Sequence, residues 1–278
     1  MKKIIHSIYQ ILLCFLLLLV VSSISAQDLV IVHVNDTHSH IDPIRSGEYK
    51  GQAGVIEQAA QLDKLRAEHG KKNVLFLHAG DFSQGTSYFT ELNGDIEIDV
   101  LNAMEVDVVC LGNHEFDNGF EELARRLKNL KADVVCANYS FEGTAIEDLV
   151  KPYTIVRRGG MKIGIIGLLT DLAPLVELDI SRQMEYIHPV NVTNEYAKYL
   201  REEKKCDLII ALTHLGFNRD FTDVELAKQI RNVDIIVGGH SHTKLDDIHY
   251  EKDLDGENVA IVTSWRWGKI LGVLELDK

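Results

Sequence analysis

Six short apolar runs rich in valine and isoleucine punctuate this chain, and each gives way at once to a polar turn. They are Leu29–Val34, Val74–Leu77, Val106–Leu111, Lys162–Leu169, Leu208–Leu212 and Ile235–Val237. Runs of this length and composition read as strands buried on both faces. Helical spacing lies between several of them. Gly54–His69 carries Val55, Ile56, Ala59, Leu62 and Leu65, Glu121–Leu130 carries Leu123, Leu127 and Leu130, and Asn191–Glu203 and Val224–Ile230 follow the same rule. Strands alternating with helices predict an α/β sandwich. No repeat, low-complexity tract or long linker divides the sequence, so the strands are expected to share one domain.

The turns after the strands hold the chemistry. Asp36 and His38 follow the first run, Gly80-Asp81 the second, Asn113 and His114 the third, His214 the fifth, and His240 and His242 the last. α/β folds build their sites at the carboxyl ends of strands. Asp, Asn and Gly are also ordinary turn formers there, but turn formation does not require so many metal-type side chains. Residues two apart in an extended segment point to the same side, so Asp36 and His38 can grip one ion, and His240 and His242 are again two apart. The Asp81 carboxylate has two oxygens and can bridge two cations, and Asn113 adds a neutral oxygen. Seven mixed nitrogen and oxygen donors suit two divalent ions such as Zn²⁺ or Mn²⁺ and do not suit Ca²⁺. Two such ions can clamp a phosphoryl group and activate a water for in-line attack.

Taken in order, Asn35-Asp36-Thr37-His38, Gly80-Asp81, Gly112-Asn113-His114-Glu115, Thr213-His214 and Gly239-His240-Ser241-His242 resemble the motifs of the calcineurin-like metallophosphoesterases. Gly80–Thr86, the GNHEFDNG stretch Gly112–Gly119, KIGIIGL at Lys162–Leu168 and GGHSHT at Gly238–Thr243 are similar to the 5′-nucleotidase branch. The resemblance runs from about Leu29 to Leu276. It implies a four-layer αββα sandwich of two mixed sheets flanked by helices. It also implies one metal held by Asp36, His38, Asp81 and His242, and a second held by Asp81, Asn113, His214 and His240. His114 would contact the phosphate, stabilise developing charge and help protonate the leaving oxygen, with Asp117 orienting it and raising its pKa.

The activity so implied is hydrolysis of phosphomonoesters, 5′-nucleotides first, with a cyclic-nucleotide phosphodiesterase or a nucleotide-sugar diphosphatase as the nearest alternative. A non-catalytic metal- or phosphate-binding subunit is the contrasting class, and the complete donor set with the His114–Asp117 pair argues against it. The full-length bacterial 5′-nucleotidases that the chain resembles carry a C-terminal domain that stacks on the base. The expectation is therefore a separate nucleotide-binding polypeptide as partner, or else loose specificity for small phosphoesters.

Lys2 and Lys3, the apolar run Ile11–Val21 and the small residues up to Ala26 have the layout of a secretory signal peptide. Cleavage is expected between Ala26 and Gln27, giving a secreted or periplasmic domain over 27–278 with no stable membrane span; the competing reading is an uncleaved anchor over residues 8–24. The cut removes two lysines and no acid, moving the formal charge from −13 to −15. So acidic a surface repels nucleic-acid polymers. Cys110, Cys136 and Cys206 are expected as buried free thiols. His33 is expected as a packed histidine, His40 as a candidate for substrate contact, and Glu115 as a backbone partner. His78, where the family usually has Asp, reads as tolerated variation in a buried strand or as an altered support beneath Asp81. Trp265-Arg266-Trp267 reads as edge packing or as a stacking surface.

Overall fold

The computed structural model describes residues 29–218 and 221–276, so the leader expected over 1–26 lies outside the described residues. Among the described residues no helix is long and apolar enough to cross a membrane. In chain order the elements begin β1 (Leu29–Val34), α1 (Val55–His69), β2 (Val74–His78), α2 (Ser87–Leu92), α3 (Asp95–Ala103), β3 (Val108–Cys110), α4 (Gly119–Leu127) and β4 (Asp133–Val135). They continue with β5 (Tyr139–Ser140), β6 (Tyr153–Arg158), β7 (Met161–Leu169), α5 (Leu178–Ser181), β8 (Glu185–Tyr186), α6 (Pro189–Glu202) and β9 (Leu208–His214). The last are α7 (Asp223–Ala227), β10 (Ile235–Val237), β11 (His249–Lys252), β12 (Asn258–Val262) and β13 (Gly272–Leu276).

Two mixed sheets result. One has the order β13-β1-β2-β3-β4, the other β11-β12-β10-β9-β7-β6, and β5 and β8 form a separate ribbon. In the first sheet only β13 runs antiparallel to its neighbour, and in the second only the edge strands β11 and β6 do. The period-two alternation of each strand explains why the sheets stack. Leu29, Ile31, Leu75, Leu77, Val108 and Cys110 point inward and meet Ile163, Ile165, Ile210, Leu212 and Val237 of the other sheet. The alternate residues Val30, Val32, Val74 and Phe76 face Leu62 of α1 and Ile98 and Leu101 of α3. On the far side, Ile166, Leu168, Ile209 and Ile236 face Val192, Ala197 and Leu200 of α6 and Leu226 of α7. Each fully buried aliphatic side chain contributes roughly 1.5–3 kcal/mol, and the four layers are helix, sheet, sheet, helix, as the resemblance implies.

Two details differ from the spacing argument. Ile56 is 77% exposed, because the buried stripe of α1 runs through Gln58 and Leu62 and leaves Ile56 outside it. The third strand shortens to Val108–Cys110, since Val106 and Leu111 turn into the flanking loops. His33 is buried against Gly272 of β13, where a Cβ would collide with its ring, and burial pushes its pKa down to about 4. It is a packed histidine. The three described cysteines are buried and free.

Because the inner strands of both sheets are parallel, their carboxyl ends emerge at one edge of the sandwich. The turns after β1, β2, β3, β9 and β10 therefore converge there.

Candidate metal centre

That edge brings together all seven donors singled out in the sequence. Asp36, His38 and His242 form one group whose ligand atoms all lie within 4.8 Å of one another, and Asp81, His214 and His240 form a second. A third group joins His38, Asp81 and His114. Asp81 thus belongs to two groups, and His114 lies nearer the donors than a purely substrate-facing residue would. Asn113 is buried beside them. His38, Asp81, Asn113, His114, His240 and His242 line a cleft of about 650 Å³ that also takes in His40, Gln84, Leu175 and Trp267.

The backbone reaches this arrangement in a way the sequence spacing does not predict. Asp36 and His38 are not extended: their φ values are 49° and 47°, and those of His240 and His242 are 73° and 51°. Ser39, Asp81, Gln84, Trp265 and Trp267 share the left-handed region, making nine non-glycine residues around one cleft. Such conformations persist only where surrounding contacts over-determine them. Here the contacts are long-range. Asp36 N donates to Gly80 O at 2.9 Å, His38 N to Asp81 O at 3.0 Å and Ser39 N to Phe82 O at 3.0 Å. His240 N donates to the Asp36 carboxylate at 2.9 Å. Asn35 clamps the loop after β12, accepting from Ser264 N and Oγ at 2.7 Å each and donating to Trp265 O at 2.7 Å.

Glu115 locks the Asp81 turn. One of its oxygens accepts from Asp81 N at 2.9 Å and Gly112 N at 2.6 Å, and the other accepts from Ser83 N at 3.0 Å. The carboxylate is fully buried, so it is the backbone partner the sequence suggested. Arg126, buried behind it, donates to Ser83 Oγ at 2.6 Å and Glu115 O at 2.8 Å. Gly112 must be glycine, because a Cβ there would collide with Asp81 Oδ1. Glu115→Ala strands three buried N–H groups and is expected to cost about 3–5 kcal/mol. At this chain length that lowers Tm by roughly 10 °C. A thermal melt within about 2 °C of the parent would show that the turn holds itself.

The atoms that meet in the cleft fit divalent cations. His38 Nε2 and His242 Nε2 face each other at 3.0 Å, and Asp36 Oδ1 lies 3.3 Å from the latter. His214 Nδ1 donates to Ala79 O at 2.7 Å, which aims Nε2 into the cleft. That Nε2 lies 3.0 Å from Asp81 Oδ2 without the alignment of a hydrogen bond, and Asn113 Oδ1 is buried with no partner. The charges are strongly coupled. Burial opposes ionisation of Asp81, but His214, His38 and His114 outweigh it and hold the carboxyl well below its ordinary range. Burial likewise opposes charge on His214, and Asp81 and Asp36 overcome it, pushing the imidazole up to about 10.

At the rim, His114 Nδ1 lies 2.9 Å from Asp117 Oδ2, and that bond raises the imidazole to about 8 against partial burial. His114 N also donates to Asp81 Oδ1 at 3.0 Å. His78 Nε2 meets Thr37 Oγ1 at 3.0 Å, and burial pushes the His78 pKa down to about 3, so it props the Asp36–His38 turn as a neutral ring. His40 stacks on Trp267 at 4.9 Å and lines the cleft. Arg126 and Glu97, which bonds Ser39, support the site from positions that no local pattern marks, and Asn35 does so from within the first motif.

Comparison with known proteins gives a consistent result. Residues 29–244 match the family model described as calcineurin-like phosphoesterase. The chain is 32% identical over 271 residues to snake venom 5′-nucleotidase of Naja atra, a match covering 90% of this chain and 50% of that protein. It is 33% identical over 272 residues to NAD 5′-nucleotidase of Haemophilus influenzae, covering 90% and 44%. The crystal structure of the 5′-nucleotidase precursor from Thermus thermophilus superposes with a TM-score of 0.80 at 34% identity, covering 89% of this chain and 51% of that one. The chain spans about half the length of the curated relatives it matches.

Proposed function

The chain belongs to the calcineurin-like phosphoesterase family, and from that premise we propose that it hydrolyses phosphomonoesters, 5′-nucleotides first, with two divalent ions held in the cleft. The observation that carries the proposal is the convergence of the metal-type groups around Asp81 with the His114–Asp117 pair at their rim. In this reading Asp36, His38, Asp81 and His242 hold one ion, and Asp81, Asn113, His214 and His240 hold the other. When bound, the ions supply a Lewis-acid clamp on the phosphoryl oxygens and lower the pKa of the attacking water.

The protein's own groups do the rest. Glu115 fixes the Asp81 backbone, with Oδ2 facing His214 and His38 and Oδ1 accepting from His114 N. The Ala79 carbonyl fixes which nitrogen His214 presents. His114, protonated at neutral pH through Asp117, lies within reach of the leaving oxygen of a phosphate seated in the cleft, donates its proton there, and is recharged from solvent at the half-exposed rim. The acidic balance of the chain keeps nucleic-acid polymers away, so the cleft serves small phosphoesters. Residues 1–26 as a cleaved secretory leader, residues 27–278 as the catalytic domain, and a secreted or periplasmic setting complete the proposal. The relatives are about twice as long, so a further polypeptide that reads the nucleoside is retained as part of it.

The test is turnover of p-nitrophenyl phosphate, AMP, cyclic AMP and a UDP-sugar by protein stripped with chelator and reloaded with Zn²⁺ or Mn²⁺. The expected result is AMP hydrolysis that vanishes on stripping and returns on reloading. Faster turnover of the diesters than of AMP, or full activity in protein shown to be metal-free, would overturn it.

A further inference from the structure

Asp223 is the first residue of α7, and it is buried. The helix start does not depend on its carboxylate. Thr222 caps the helix, its Oγ1 accepting from Glu225 N at 3.2 Å while the Glu225 carboxylate accepts from Thr222 N at 2.9 Å. Burial pushes the Asp223 carboxyl up to about 7, against the pull of the Thr213 hydroxyl and of His214. An acid taken out of water in this way costs folding free energy. The contacts that it makes in return lie outside the helix.

They run to the two turns that carry His214 and His240. Asp223 Oδ1 accepts from Thr213 Oγ1 at 2.6 Å, one residue before His214. Oδ2 fills the space over Gly238, two residues before His240, where a Cβ would come within 2.1 Å of it. Gly238 is not among the glycines with a left-handed φ, so the carboxylate, and not the backbone, is what keeps a side chain out. Asp223 N donates to Gly216 O at 2.8 Å. Gly216 in turn lies against the His240 turn, since a Cβ there would meet Ser241 Cβ at 3.3 Å and His240 Cδ2 at 3.5 Å.

The height of these contacts in the sheet gives them their leverage. β9 and β10 run parallel, and the ladder between them ends where Leu212 pairs with Val237. The next level holds Thr213 and Gly238, and there the Asp223 carboxylate bridges the two strands. The donors begin one step further on, with the rings of His214 and His240 5.1 Å apart. Leu226 and Ala227 seat α7 in the core behind, so the carboxylate is held from a rigid base.

We propose that Asp223, through Thr213 and Gly238, is a positioning residue that sets the separation of His214 and His240 and thereby the affinity of the ion they hold. This rests on the two-ion reading of the cleft and divides the two ions by what supports them. Asp36 and His38, on the side of the other ion, are fixed from β1 by bonds to Gly80 and Asp81. His242 is held from its far side, with Nε2 3.3 Å from Asp36 Oδ1 and Nδ1 3.4 Å from Arg266 Nη1.

The experiment measures both stepwise dissociation constants for Zn²⁺ by chelator competition in the parent, Asp223→Ala, Thr213→Val and Thr213→Ser, with thermal melts of the metal-free proteins. His214→Ala removes a donor outright and so identifies the step that belongs to this ion. Thr213→Val keeps the shape of the side chain and deletes its hydroxyl, whereas Thr213→Ser keeps the hydroxyl. The expected result is a loss of about 10–100-fold at that step in D223A and T213V, the usual effect of removing a group that orients a ligand, with T213S and the other step within about threefold of the parent. A role in stability alone would lower the melting temperature and leave the ratio of the two constants unchanged. An unchanged ratio in T213V, an equal loss at both steps, or a loss in T213S as large as in T213V would overturn the proposal. If D223A does not fold, the two Thr213 variants decide it. Failure of the two-ion reading shows separately, as a single binding step in the parent.

Discussion

Asp81→Ala is expected to lower kcat/KM by at least about a thousandfold and to leave the protein with at most one tightly held divalent ion. The reason is position. Asp81 Oδ2 lies 3.0 Å from His214 Nε2 and 3.8 Å from His38 Nε2, and the residue takes part in two of the three donor groups. Asp36 Oδ1 lies 3.9 Å from each of the same two nitrogens, so Asp81 is the nearer anion to both. Removing it deletes an anion from each side at once, and a thousandfold corresponds to about 4 kcal/mol of transition-state stabilisation, within the several kcal/mol that metal-assisted charge neutralisation supplies. The side chain takes little part in the core, so the variant should fold; far-ultraviolet circular dichroism checks this, while elemental analysis counts the metal. A folded variant that keeps two tight ions and loses less than tenfold in kcat/KM would remove Asp81 from its shared place.

His114→Ala is expected to lower kcat by about 10²–10⁴, the usual range for loss of a positioned acid or base, with both ions retained. Asp117→Asn separates orientation from acidity. The Asp117 hydrogen bond raises His114 to about 8, so the imidazole is charged at neutral pH. If the charged form is the active one, activity falls as pH rises through about 8. Without the carboxylate the pKa returns toward its ordinary value near 6.5, so the falling limb moves to lower pH and activity at pH 7.5 drops by about tenfold. A limb that stays in place in D117N would mean that another group sets it. Loss of metal in H114A would instead place His114 among the ligands, beside His38 and Asp81.

The inner architecture was legible because burial on both faces leaves a compositional trace. β1, β2, β7, β9 and β10 are dominated by Val, Ile and Leu, and the turns after β1, β2, β9 and β10 carry donors. The edge strands were not legible. β11 alternates half-buried and exposed residues, and β6 buries little more than Thr154, so neither stands out from its surroundings. α2 and α3 escaped because Ser87–Leu92 and Asp95–Ala103 mix aromatic, β-branched and acidic residues, and the left-handed Asn93 and Gly94 break the pattern between them. At the site the identities of the donors were readable and their geometry was not. Residues two apart share a side only on extended backbone, whereas the turn that carries Asp36 and His38 is left-handed and fixed by bonds to Gly80 and Asp81 some forty residues away. His78 illustrates the same limit. Its strand was evident, but its partner Thr37 lies across the turn. Asn35 reaches residues 228 to 230 positions distant, and no local pattern can announce that.

The nine left-handed residues around the cleft carry a consequence for how this sequence can change. In the buried layers the acceptable substitutions are set by volume, and valine for isoleucine is a small step. Around the cleft the ranking inverts. A branched Cβ is disfavoured by the backbone itself, even at half-buried Gln84, whereas glycine relieves strain there. Glycine would therefore be the conformationally mild replacement at Asp36, His38, Asp81, His240 and His242, and it is also the replacement that deletes the donor. Stability and chemistry thus pull these positions in opposite directions, and a chain drifting without selection for its reaction would shed its donors without losing its fold.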